Sequence, residues 1–177
     1  MQLDAQLQGL AHIRVSVNLS VHQLRQSDLV ERVQDSLLRH AVDPDHLTFE
    51  ITESAAMENP QASLRLFERL TAVGVHLSID DFGTGYSSLA YLKQFSLDKL
   101  KIDRSFVQDL PGDAADAAIA RTIVAVGHEL RMVVAAEGVE TQEQADFLRE
   151  MGCDELQGYH FGRPSPADEI DRKFPRD

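Results

Sequence analysis

Six short apolar runs recur along this chain, each ending in a residue that binds metal ions or handles protons, with helical stretches between almost every pair. Ile13 to Val17 ends at Asn18, Leu47 to Phe49 ends at Glu50 with Glu53 just beyond, and Val75 to Ile79 ends at Asp80 and Asp81. Lys99-Leu100 leads to Lys101 and Asp103, Met132 to Ala136 leads to Glu137 and Glu140, and Glu155-Leu156 leads to Gln157. Strand alternating with helix implies a parallel sheet joined by right-handed crossovers. Polar groups at the carboxyl ends of its strands then converge on one mouth of an α/β barrel, the face where such barrels keep their chemistry. Five or more carboxylates on one mouth repel one another unless cations sit among them, so the pattern predicts a metal-dependent active site.

The helices between the runs are legible from spacing and punctuation. Leu24, Leu29, Val33 and Leu37 recur at nearly helical intervals. Pro60 opens a second helix that buries Leu64, Phe67 and Leu70, and Gly74 ends it. A shorter helix spans Ser88 to Phe95 with Leu89 and Leu92 as its apolar pair, and a fourth runs from about Ala114 to Leu130 behind the breaker Pro111-Gly112-Asp113. Thr141-Gln142-Glu143-Gln144 reads as a capping box for a fifth, which stops at Gly152. Met1 to Gly9 is at most the end of a helix, and Pro164 to Asp177 is a polar tail with at most one weak helical turn. The expected fold is therefore α/β, a partial (β/α) TIM-type barrel with six βα strands. A closed barrel of this type usually needs about 250 residues; this chain has 177.

The charge balance excludes some partners. Seventeen basic and 29 acidic residues leave a net charge of −12, which argues against a DNA or RNA duplex or an anionic membrane surface as the partner. An anionic substrate stays compatible with it where metals reverse the local field. Cys153 is the sole cysteine, and it reads as a small buried residue rather than a nucleophile. No signal peptide is present and no apolar run approaches the ~20 residues of a membrane span. Those absences favour the cytoplasm, with any membrane anchor lying elsewhere in a longer parent protein. The histidines have no ligand spacing, and Tyr159 and His160, just after Gln157, read as packing or surface groups.

The residues around the strand ends resemble a known family. Val17-Asn18-Leu19-Ser20, Phe49-Glu50-Ile51-Thr52-Glu53-Ser54, the run Asp80-Asp81-Phe82-Gly83-Thr84-Gly85-Tyr86-Ser87-Ser88, Lys101-Ile102-Asp103, Ala136-Glu137-Gly138-Val139-Glu140 and Gln157-Gly158-Tyr159 are similar to the EAL family of bacterial cyclic di-GMP phosphodiesterases. The resemblance covers about residues 15–164 and leaves 165–177 as the polar tail of a single domain. It implies that Asn18, Glu50 and Asp80 bind one divalent metal, Mg²⁺ or Mn²⁺, and that Asp80 bridges to a second one held with Asp81. It further implies that Lys101 orients the attacking water beside Glu137, that Gln157 holds the same water network, and that Glu53 anchors the glycine-containing loop after the paired aspartates. Asp103 and Glu140 are possible supporting residues.

The resemblance also marks a departure. The signature Glu-Ala-Leu does not occur in this chain, nor does the arginine that follows it. Both belong to the family's first two strands, so the expectation is a single incomplete domain over 1–177, the C-terminal three quarters of the family barrel with those two strands absent. The implied activity is two-metal hydrolysis of cyclic di-GMP to linear pGpG, weak or lost in these residues taken alone. The alternative is a non-catalytic cyclic di-GMP-binding or regulatory module of the same family. An enolase-like barrel is a third reading, but it leaves the Asp-Asp-Phe-Gly-Thr-Gly loop without a task. A homodimer is expected, formed either through the helix near 88–95 or through exposed sheet edges.

Overall fold

The computed structural model describes residues 14–85 and 89–166. The helix end expected before Gly9, most of the expected tail, and Tyr86, Ser87 and Ser88 of the loop lie outside the described residues. Six parallel strands form one sheet in sequence order: β1 Val15–Asn18, β2 Leu47–Thr52, β3 His76–Phe82, β4 Lys99–Ile102, β5 Val133–Ala136 and β6 Glu155–Leu156. The helices are α1 Val21–Leu24, α2 Leu29–His40, α3 Glu53–Glu58, α4 Pro60–Val73, α5 Leu89–Leu92, α6 Ala114–Glu129 and α7 Gln142–Glu150.

Alternation along each strand builds the two sides of the sheet. Leu77 and Ile79 on β3, Leu100 and Ile102 on β4, and Val134 and Ala136 on β5 are buried in a core shared with the helices. Burying each large side chain in that set stabilises the fold by roughly 1.5–3 kcal/mol. The intervening residues carry the charge. Lys101 on β4 reaches Glu50 on β2, and Lys99 reaches Glu155 on β6. Each pair spans an intervening strand, so this face is concave: the sheet is a curled half-barrel with charged groups inside and helices outside.

Caps and close packing set the helix ends. Asn59 accepts from Ala62 N–H and Pro60 takes the first position of α4, which stops at Gly74 in the left-handed region. Asp113 caps α6, and Thr141 with Gln144 makes the anticipated capping box on α7. Gln144 is buried. Its side chain accepts from Glu140 and Thr141 N–H and donates to the Gln108 carbonyl, which ties the loop after β5 to the loop after β4.

One sequence expectation needs revising, and two details are added to it. The first helical stretch is two helices, because the turn at Arg25 to Asp28 ends α1 before α2 begins. Ser54 to Glu58 is helical, as α3, directly after β2. Leu92 is fully buried on α5, so only Leu89 of that apolar pair faces solvent, at 55% exposure. Cys153 is buried as expected, and burial pushes its thiol up to about 12, against the hydrogen bond to the Glu155 backbone.

Candidate active site

The mouth at the carboxyl ends of the strands is organised around one buried ammonium. Lys101 is 3% exposed. Its Nζ lies 3.0 Å from Glu50 Oε2 and 3.2 Å from Asp80 Oδ1, and it also contacts Glu137. Strands β2, β3 and β4 supply Glu50, Asp80 and Lys101 directly, while Glu137 follows β5 and is set by its N–H donating to the Ile102 carbonyl. Burial alone would lower the Lys101 pKa, but the Glu137 hydrogen bond and the charges of Asp80, Glu137 and Glu50 outweigh it and raise it. Lys101 is therefore a fixed cation and a donor.

Asp80 and Asp81 are sequence neighbours, which on a regular strand would point to opposite faces. A bulge changes that. Ile79 pairs with Leu100 and Phe82 with Ile102, so β3 spends one residue more than β4 across this stretch. Asp81 adopts φ +54, a left-handed conformation that aspartate tolerates better than most residues. Bulges of this kind re-aim a side chain next to active sites. The outcome is that carboxylate oxygens of Asp80, Asp81 and Glu137 lie within 4.8 Å of one another.

The electrostatics are one-sided. Burial raises Asp81, and Asp80 and Asp103 add to the rise. Burial also raises Glu137, opposed by Lys101 and reinforced by Asp80 and Glu50. Asp103 is pushed up by burial too, but hydrogen bonds from the Ser105 hydroxyl and N–H, together with one shared with Asp81, bring it below its ordinary value. Three carboxylates, Glu50, Asp80 and Glu137, thus contact one ammonium, and Asp81 stands beside Asp80 and Glu137 without an ion pair of its own to it. An all-oxygen, carboxylate-rich donor set of this kind fits a hard divalent cation, and the residual negative charge calls for one.

Glu53 does a different job. It is 1% exposed and opens α3, and its Oε2 accepts from Gly83 N–H at 2.9 Å and Gly85 N–H at 3.3 Å. Gly83 has φ +100, a conformation that favours glycine. Thr84 Oγ1 donates to the Asp81 carbonyl, so the same loop also holds the bulged residue.

Other predicted positions sit at the rim. Asn18 ends β1 in register with Glu50 and is exposed. Gln157 is exposed too, with its N–H on the Ala136 carbonyl and its own carbonyl accepting from Val139 N–H. Glu140 turns to Arg104 at 2.7 Å and lies in an ion pair rather than against Lys101. Sequence reasoning missed Arg104 and Ser105, although both follow Asp103 directly in the chain.

The half-barrel thus carries an acidic mouth whose donor set fits divalent cations. The EAL domain model matches residues 1–164, and the chain belongs to the EAL domain family; the match reaches further toward the amino terminus than the 15–164 expected. MucR of Pseudomonas aeruginosa, a bifunctional diguanylate cyclase/cyclic di-GMP phosphodiesterase, is 51% identical over 162 residues, covering 92% of this chain and 24% of MucR. The cyclic di-GMP phosphodiesterase NbdA of the same bacterium is 48% identical over 160 residues, covering 90% of this chain and 20% of NbdA. The chain thus spans about a quarter or less of these curated relatives. The solved complex of the PaMucR phosphodiesterase with c-di-GMP has a TM-score of 0.89 at 51% identity, covering 92% of this chain and 66% of that one. A manganese and c-di-GMP complex of Klebsiella pneumoniae BlrP1 gives 0.79 at 35%, covering 85% and 39%.

Proposed function

We propose that the intact protein carrying these residues hydrolyses cyclic di-GMP to linear pGpG with Mg²⁺ or Mn²⁺ held at the mouth. The observation that carries this reading is the Lys101 ammonium locked among Glu50, Asp80 and Glu137, with Asp81 brought to the same pole by the bulge. Support comes from the cyclic di-GMP phosphodiesterase relatives and from the manganese complex of BlrP1.

Asn18, Glu50, Asp80 and Asp81 would hold the cations, which when bound lower the pKa of water and neutralise charge on the phosphoryl oxygens. Lys101 donates to the attacking water and orients it. Glu137, next to Lys101, takes the proton, and Gln157 completes the hydrogen bonds around the water. The water oxygen forms the new bond to phosphorus, the bond to the ribose 3′ oxygen breaks, and that oxygen leaves as a hydroxyl after taking up one proton. Opening one phosphodiester in this way gives the 5′-phosphorylated linear dinucleotide. Glu53 keeps the loop after Asp81 in the shape this arrangement needs.

The test is chromatographic detection of pGpG from cyclic di-GMP, with the intact protein assayed with and without Mn²⁺. Metal-dependent product supports the reading. Binding without turnover would transfer the chain to the non-catalytic alternative, and neither binding nor turnover would overturn both. Homodimerisation belongs to the same proposal, with Leu89 as its exposed apolar contact on α5. Sedimentation of Leu89→Glu should give a monomer if that helix pairs, and an unchanged dimer would exclude it.

A further inference from the structure

The loop that carries Glu137 is braced by the turn that follows β4. That turn is a short 3₁₀ helix, Arg104–Phe106, capped by Asp103, which accepts from the Ser105 N–H at 2.9 Å. It touches two loops of the mouth. Phe106 packs so closely on the loop after Asp81 that a Cβ at Gly83 would stand 2.8 Å from its ring. On the other side, Arg104 reaches the loop after β5.

Two contacts define that reach. Gly138, directly after Glu137, has φ +71, and a Cβ there would meet Arg104 Cγ at 2.3 Å and Cδ at 2.9 Å. The aliphatic stem of Arg104 thus fills the space that a side chain at 138 would take. Its guanidinium then pairs with Glu140 at 2.7 Å. The backbone closes the same circuit. Glu140 N–H donates to the Gln144 side chain, Gln144 donates to the Gln108 carbonyl, and Gln108 N–H donates to the Arg104 carbonyl. Stability does not explain the arrangement, because the Arg104 and Glu140 side chains are 58% and 45% exposed and ion pairs open to water contribute little to folding. A glycine leaves its own backbone free, so the stem laid across Gly138 supplies the wall that fixes it.

We infer that Arg104 is a positioning residue that sets the place of the Glu137 carboxylate through Gly138 and Glu140, an assignment that rests on the function proposed above. Its guanidinium is spent on Glu140, so it acts through the loop and not on the reacting atoms. A carboxylate that takes a proton from water must lie within hydrogen-bond reach of it, and a misplacement of about 1 Å can cost about a hundredfold in rate. Arg104 therefore bears on kcat and leaves the binding of cyclic di-GMP alone.

The test uses the intact protein with Mn²⁺. Arg104→Ala is expected to lower kcat about tenfold, while Kd for cyclic di-GMP, titrated calorimetrically in the Glu137→Ala background, stays unchanged. In that same background the residual single-turnover rate should fall no further, because the group through which Arg104 acts is already gone. Arg104→Lys, which keeps the stem and the cation, should recover most of the loss. Glu140→Gln, which releases the guanidinium and keeps the stem, should lower kcat by a smaller factor. Unchanged kcat in Arg104→Ala would overturn the assignment and leave the phosphodiesterase reading standing. A further tenfold fall on top of Glu137→Ala, or a loss of binding in step with kcat, would also overturn it. Should Arg104→Ala not fold, unchanged kcat in Glu140→Gln overturns it alone. A wild-type protein that neither binds nor cleaves cyclic di-GMP would remove the reading on which the assignment rests.

Discussion

The two poles of this half-barrel are both rich in charge, yet they balance it in opposite ways. At the amino-terminal pole a polar cavity of about 550 Å³ is lined by Arg14, Asp45, His76, Asp98, Lys99 and Glu155 among others. There each acid meets a base: His76 lies between Asp45 at 2.8 Å and Asp98 at 3.2 Å, Arg14 approaches Asp45, and Lys99 pairs with Glu155. Asp98 and, nearby, Asp154 also accept from the backbone N–H groups of Leu77 and Val134, and Asp154 pairs with His128. These groups fasten loops to strand starts. At the carboxyl-terminal pole three carboxylates share one buried lysine with Asp81 beside them, and no such balance is reached. Charge that is matched locally maintains the fold, whereas charge left unmatched in a buried mouth is poised for a ligand.

The largest expected contrast is catalytic. Glu137→Ala should reduce kcat by roughly 10²–10⁴-fold, the usual span for a proton-transfer group, while Kd for cyclic di-GMP stays close to wild type. Equal loss of binding and turnover would contradict its place at the water. A carboxylate removed from the other pole, as in Glu155→Ala, should leave kcat within a few-fold, and a large drop there would erase the distinction between the poles.

Lysine replacement sharpens the comparison in stability. Lys101→Met leaves buried acids facing one another and should cost about 3–5 kcal/mol in metal-free protein. Lys99→Met removes a partly exposed pair and should cost roughly 0–1 kcal/mol. Urea unfolding in EDTA measures both, and similar values for the two variants would break the argument.

Loop anchoring is a smaller effect. Glu53→Gln replaces a charged acceptor under Gly83 and Gly85 N–H, and should destabilise by about 1.5–3 kcal/mol. Turnover should fall with it, because the bulged Asp81 belongs to the same loop. Loss of stability with full activity would separate the loop from the site.

The smallest effect is the pH dependence of melting in EDTA, where the poles differ in sign. Asp45 is held below its ordinary 3.8 chiefly by the His76 hydrogen bond, and Asp154 is lowered because the Val134 N–H and His128 outweigh the rise from burial. Their contribution is complete above the unfolded value and is lost as pH falls through the lower folded one. Asp81 and Glu137 are raised from 3.8 and 4.5, mainly by burial. The folded state then keeps their protons longer, so stability declines as pH rises from those values through the folded ones. Glu137→Gln should flatten that upper decline in a calorimetric pH series, and Asp154→Asn should flatten the acid-side loss. Identical profiles in all three proteins would remove titration as a difference between the poles.

Much of this arrangement was legible in the sequence because strand ends are punctuated by chemistry. Glu50, Asp80, Lys101 and Glu137 each close an apolar run, and parallel alternation puts them on one mouth. The place of Asp81 at the mouth followed from the family resemblance, but the means was not legible, since it is a one-residue bulge set by pairing with β4 and no local pattern encodes that pairing. Leu92 was placed on the correct helix, but with no indication that the core would take it rather than Leu89. Glu140 shares its spacing from Glu137 with the Glu50 and Glu53 pair, yet it turns to Arg104, a partner contributed by the loop after another strand. Tyr159 read as a packing or surface group and is exposed, while its place beside the Glu137 loop depends on the turn at Gly158.

Calorimetric titration of Mn²⁺ into wild type, Asp80→Asn and Asp98→Asn tests the central claim most directly. Asp80 and Asp98 are both strand-associated acids with a basic partner, so the two variants differ chiefly in the pole they change. The account predicts that wild type and Asp98→Asn bind the ion alike and that Asp80→Asn does not bind it. Retention of binding in Asp80→Asn, or its loss in Asp98→Asn, would contradict the assignment of the unmatched mouth as the metal centre.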